Sequence, residues 1–100
     1  MNNFDILIES INRNFIFPAP PFEVVLNYFD SMRPRRNLNL SNCRAYTIFR
    51  YSVARECLRI GELDGNLIKR ATNHLWRNSS IQEKTEYRNL AQRVRSQSMT

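Results

Sequence analysis

Glycine is scarce in this chain, with two among 100 residues, and proline is limited to four. That scarcity excludes a collagen-like repeat and gives a low-complexity reading no support. No apolar run exceeds three residues, the stretches 6–8 and 15–17 being examples. A membrane-spanning helix needs about 20, so none is expected. The opening residues Met1, Asn2, Asn3, Phe4 and Asp5 carry neither the positive start nor the apolar block of a secretory leader. The single histidine, His74, has no acidic residue three or four positions away on either side, so a catalytic role is not expected. Ser79 and Ser80 read as capping residues rather than nucleophiles. Gly61 and Gly65 do not form a phosphate loop. Cys43 and Cys57 fall on what reads as one helix. At about 1.5 Å per residue they would lie roughly 21 Å apart, far beyond the ~7 Å that a disulfide bridges. Free thiols are expected, and two cysteines with one histidine make no zinc site. The chain therefore reads as a non-enzyme without a metal or cofactor.

What is present is positive charge and aromatic side chains. The net charge is +6, and 11 residues are aromatic, too many for a wholly disordered chain. The charge is unevenly placed. Residues 1–32 hold Arg13 against Asp5, Glu9, Glu23 and Asp30, a net −3. Residues 33–100 hold 14 Lys and Arg against Glu56, Glu62, Asp64, Glu83 and Glu86, a net +9. An acidic head thus precedes a basic body that attracts polyanions, nucleic acid first among them. The cations are mostly arginine, whose planar fork suits phosphates and base edges. A solvated basic surface with no polyanion partner is the plain alternative.

Hydrophobic spacing predicts an all-α chain. In the head, Phe4, Leu7, Ile8 and Ile11 mark a helix over 4–11 with Asn3 as its cap. Phe22, Val25, Leu26 and Phe29 mark another over 22–29, after the stiff stretch 18–21. Both are too short to be stable alone and must pack on something. Pro34 disfavours helix at Arg33, so 33–41 is expected to be an extended basic strand, with Leu38 and Leu40 on one face. Three helices follow, at about 42–58 (capped by Ser41 or Asn42), 64–77 and 80–95. Ser80 and Glu83 form a capping box for the last. Phe49, Trp76 and Tyr87 are the natural centre of their shared core.

Residues 42–91 resemble an HMG-box, the L-shaped three-helix DNA-binding domain. The resemblance rests on Arg44, Ala45, Tyr46, Thr47, Ile48, Phe49 and Arg50. It continues with Ile68, Lys69 and Arg70 ahead of Trp76, eight residues after the isoleucine, and ends with Ser80, Glu83, Lys84, Tyr87, Leu90 and Ala91. The family pattern in those places is Asn-Ala-Phe-Ile-Leu-Tyr-Arg, then Ile-Ser-Lys with a following Trp, then Ser-x-Glu-Glu-Lys-x-x-Tyr-x-x-Leu-Ala. The style is similar to boxes of the fungal mating-type and sex-locus kind. The resemblance implies an L-shaped box over 33–100 with an N-terminal strand, preceded by a partly helical extension over 1–32. It also implies a nuclear transcription regulator that binds the minor groove of double-stranded DNA and bends it by prying a base step open.

Carried over position by position, the resemblance places Arg44 where the family has a base-contacting Asn, and Tyr46 where it has a stacking Phe. Thr47 takes the place of the large wedge, which implies a shallower kink. Arg50 takes a phosphate-contacting position and Asn66 a small polar base contact, with Lys69 and Arg70 following on the DNA side. Arg33, Arg35 and Arg36 lie on the expected basic strand. Phe49, Trp76, Lys84 and Tyr87 map to the structural core. Two other readings stay open: a non-specific architectural DNA bender, and a degenerate box acting as a protein-interaction module. In the last, the head offers an apolar surface of Phe4, Leu7, Phe22, Val25 and Phe29 to a protein partner.

Overall fold

Every regular element among the described residues is helical, as the spacing predicts. The structure is a computed structural model describing residues 2–36 and 43–97; over 30–36 it describes the backbone alone. The elements are α1 (Asn3–Ser10), a 3-10 turn (Arg13–Phe15), α2 (Phe22–Arg36), α3 (Ala45–Arg59), α4 (Gly65–Arg77) and α5 (Ile81–Gln97).

Local chemistry accounts for most of the boundaries. Asn2, one residue earlier than expected, caps α1 by accepting the Asp5 N–H at 2.8 Å. The α3 end turns on Gly61, whose φ of 88° is the left-handed conformation that glycine adopts without strain. There the Glu62 N–H closes on the Cys57 carbonyl at 2.8 Å. Asp64 caps α4, accepting from the Asn66 and Leu67 N–H groups at 2.9 and 3.3 Å. The Ser80–Glu83 box opens α5, with the Glu83 N–H on Ser80 Oγ at 3.0 Å and the Ser80 N–H on Glu83 Oε1 at 2.8 Å.

Two expectations need correction. The strand over 33–41 is not found where it can be checked: Arg33 to Arg36 continue α2, and 37–41 lie outside the described residues. Pro34 falls in the last turn of a long helix, where its missing N–H removes a single backbone bond, so the pre-proline bias is overridden. Next, α3 begins at Ala45, with Arg44 as an N-cap that makes no side-chain cap bond; Ser41 and Asn42 lie outside the described residues. Cys43 precedes the helix, buried and held to α5 by the Arg95 Nη1 donor on its carbonyl at 2.7 Å. That anchor delays the helix start and separates the two cysteines, both free, onto different elements.

The head had to pack on something, and the fold shows on what. Residues 2–29 are built into the same core as the later helices. Leu7, Ile11, Ile16, Val25 and Phe29 are buried together with Ile48, Phe49, Val53, Leu75, Tyr87 and Val94. Phe49 is the hub: its ring lies 5.0 Å from Trp76, 5.2 Å from Tyr87 and 5.7 Å from Phe17. The Tyr87 hydroxyl donates to the Ile16 carbonyl at 2.5 Å. Phe4, at 5.6 Å from the His74 ring, seats α1 on α4. Phe22, 4.3 Å below the Arg93 guanidinium, seats α2 on α5. The apolar stripe read as a partner surface is thus turned inward at Leu7, Val25 and Phe29. A helix of eight residues is marginal alone, and tertiary burial supplies what its length does not.

Candidate nucleic-acid interface

Helices α3 and α4 run in opposite senses. Phe49, in the second turn of α3, meets Trp76 near the end of α4, and the connection between the helices is short. Their outer edges are joined at one seam. The Tyr46 hydroxyl donates to Asn73 Oδ1, and the Tyr46 ring stands edge-on to Trp76 at 6.2 Å. One turn further along α3 from Tyr46 is Arg50, and one turn back along α4 from Asn73 is Lys69. Helical register therefore brings both cations to the seam side of the pair. Arg44, Thr47 and Arg50 on the α3 side, and Asn66, Lys69, Asn73 and Arg77 on the α4 side, are exposed. Arg44, Arg50, Lys69 and Arg77 make no ion pair with any described residue.

The face owes its sign to where the carboxylates went. All five in residues 43–97 are engaged elsewhere. Asp64 and Glu62 bond backbone N–H groups in the α3–α4 turn. Glu83 holds the Ser80 N–H and takes a two-pronged contact from Arg13 at 2.9 and 3.0 Å. Glu86 accepts the Ala19 N–H at 3.2 Å. Glu56, 2% exposed, accepts the Asn12 N–H at 2.7 Å and pairs with Arg59 at 2.6 Å. The Arg59 hydrogen bond, outweighing the opposing effect of burial, holds the Glu56 carboxyl below its ordinary range. The Ser80 N–H does the same for Glu83, with Arg13 adding to it.

The residues singled out from sequence fall into three groups. Arg44, Thr47, Arg50, Asn66 and Lys69 are exposed on the α3–α4 pair, and Tyr46 is half-buried and held at the seam. Arg70 is exposed at its border, where α1 places the Phe4 ring 4.7 Å from its guanidinium. Arg33, Arg35 and Arg36 lie on α2 in backbone terms, their side chains outside the described set. Phe49 and Tyr87 are fully buried; Trp76 and Lys84 are half-buried, with the Lys84 ammonium 5.7 Å over the indole. Burial pushes the Tyr87 hydroxyl up to about 12. Two contributors escaped the sequence reading. Asn73 was visible only as a member of the Asn66–Lys69–Asn73–Arg77 register on α4. Glu56 carried a clearer sign: a carboxylate three residues past Val53, on the apolar stripe, with an arginine three residues further on.

The described residues contain no cluster of His, Cys, Asp and Glu able to hold a metal ion, and no described helix is long and apolar enough to cross a membrane. No family model, curated protein or solved structure matches this chain.

Proposed function

We propose that this protein binds double-stranded DNA through the α3–α4 face, in the manner of an HMG-box, and acts as a nuclear transcription regulator of the mating-type or sex-determination kind. The observation that carries the reading is the set of exposed cations on α3 and α4, Arg44, Arg50, Lys69 and Arg77, none of them ion-paired with a described residue. Phosphates favour such a surface, because each neutralised phosphate releases condensed counterions. In this reading α3 and α4 form the short arm that enters a widened minor groove, and α5, backed by α2, is the long arm. Tyr46 is held to Asn73 and Trp76, which leaves Thr47 as the exposed side chain at the wedge position. A short hydroxyl-bearing wedge opens a base step less than a large apolar one.

The test is a salt-resolved titration of the full chain against a labelled duplex. Affinity is expected to fall steeply with salt. Removing Arg50 and Lys69 together should flatten the log–log slope by about 1.8, from ~0.9 per phosphate contact. Arg93→Ala removes the same kind of charge from α5, where the guanidinium lies over Phe22, and should leave affinity nearly unchanged. Arg44→Ala should cost more than Arg93→Ala. Binding indifferent to salt, or equal losses from all these changes, would overturn the interface. Comparing an A·T-rich duplex, a scrambled duplex and a four-way junction separates a regulator from an architectural bender; a specificity ratio near one excludes the regulator.

A further inference from the structure

Resting on that reading, we propose that copies of this chain bind a duplex side by side, the exposed edge of α1 in one copy docking on the outer edge of α3 in the next. The two edges lie at opposite ends of one row of helices, with α1 packed on α4 and α4 on α3. On α3, Tyr46 faces α4. Arg55 stands nine residues further on, about two and a half turns, so it points away from α4. On α4, Asn73 and Trp76 face α3, whereas Arg70 and His74 meet Phe4 of α1 on another side. The cationic face lies between these two edges, so neighbours seated on one duplex bring unlike edges together.

The edges complement each other in charge and in spacing. On α1, Leu7 and Ile11 are buried, and Asp5, Ile6 and Glu9 are exposed on the opposite side. Asp5 and Glu9 make no ion pair with any described residue. On α3, Arg55 is exposed and likewise unpaired among the described residues. Its guanidinium lies 5.6 Å from the Tyr51 ring, which packs 4.3 Å from Tyr28 of α2, so the cation is held at the edge by two stacked rings. One turn beyond Arg55, Leu58 is 66% exposed; one turn before Glu9, Ile6 is 49% exposed. With α1 of one copy antiparallel to α3 of the next, Glu9 meets Arg55 while Ile6 meets Leu58. The contact is heterologous: each copy offers one edge to each neighbour, so it propagates along a duplex instead of closing into a dimer. One exposed ion pair with a small apolar contact is weak between free chains. A shared duplex raises the effective concentration of the neighbour and makes the contact count.

The full chain is titrated at fixed low salt against a duplex that seats one copy and against a longer duplex repeating the same sequence. Filling of the long duplex is expected to be cooperative, with affinity per site about tenfold tighter than on the short one, an ordinary size for coupling between sites. Glu9→Arg and Arg55→Glu each set like charges against each other at every junction and should bring that ratio below about twofold. Combined in one chain they return an opposite pair to each junction and should restore the ratio to about fivefold or more. The ratio compares two duplexes for the same protein, so any change in its intrinsic duplex affinity cancels, and melting curves verify that the variants fold. Three results would overturn the proposal while leaving the interface standing: equal affinity per site on the two duplexes, cooperativity kept in both single variants, or no recovery in the combined one. Failure of the unaltered chain to bind even the short duplex would overturn the interface as well.

Discussion

Replacing Ile16 by alanine tests whether the head is part of the fold. Ile16 is 1% exposed, and its carbonyl accepts the Tyr87 hydroxyl. The substitution leaves that backbone acceptor in place, so the loss is confined to side-chain packing. Three carbons leave the core, worth about 2.4 kcal/mol at ~0.8 per buried methylene. An unrelaxed cavity raises this towards 3–4 kcal/mol, within the ~2–5 seen for isoleucine-to-alanine changes. For a domain of this size each kcal/mol moves the midpoint by about 4–8 °C, so Tm should fall by roughly 12–32 °C. The neighbouring Phe15 supplies the control. It is 60% exposed, with the Arg59 guanidinium 4.5 Å from its ring, a contact worth ~0.5–1 kcal/mol. Phe15→Ala, although it deletes more atoms, should cost less than about 1.5 kcal/mol. Thermal melts followed by circular dichroism compare the two. If Ile16→Ala melts with the unaltered chain, or no lower than Phe15→Ala, residues 1–32 are an appendage and the shared core is wrong.

Glu56 and Glu83 both have carboxyls held below the ordinary 4.5 in the fold. Their contribution is therefore complete above that pH and is lost as pH falls through the folded values. Tm should drop in acid, and Glu56→Gln should lower Tm at pH 7 by an amount corresponding to about 1–3 kcal/mol while shrinking the acid dependence; an unchanged acid profile would count against the Asn12 and Arg59 contacts. The Tyr87 hydroxyl shifts the other way, from 10 to about 12. Its stabilisation is present below pH 10 and lost as pH rises through the folded value, so one tyrosine should ionise together with alkaline unfolding, and Tyr87→Phe should remove that step from the absorbance titration. Burial pushes the Cys43 and Cys57 thiols up to about 11, so neither should react with a thiol reagent at pH 8 until the chain is unfolded; rapid native labelling would contradict their burial. Thr47→Ile should increase the bend of end-labelled duplex measured by energy transfer, and an unchanged bend would place the wedge elsewhere.

The later half of the fold was legible because its signals are local. Asp64, Gly61 and the Ser80–Glu83 pair act within a turn of where they stand, and they place the ends of α3, α4 and α5 to within a few residues. Phe49, Trp76 and Tyr87 were recognisable as a core because large aromatics on three amphipathic stripes have few other places to go. The head was not legible for the complementary reason. Its stripes announce that something must cover Leu7 and Val25, but periodicity carries no address. The contacts that supply one span long separations: Asn12 to Glu56, Ala19 to Glu86, and Tyr87 to Ile16. The site shows the same division. The cations were visible as composition, whereas the Tyr46–Asn73 seam that joins them into one face is a tertiary contact.

The head also bears on the charge of that face. Counting net charge alone, an acidic head at −3 beside a body at +9 weakens attraction to a polyanion. The contacts argue the opposite. Glu56, Glu83 and Glu86 are occupied by the head's Asn12, Arg13 and Ala19, so three of the body's five carboxylates are tied down by the segment whose net charge opposes it. Without the head, those carboxylates would lose these partners, and the hydrophobic surface beneath Ile16 and Val25 would open. Salt screens charges beyond about 8–10 Å, so the arrangement at the face matters more to a bound phosphate than the total on the chain. The acidic segment therefore supports a basic surface by holding the body's own carboxylates away from it.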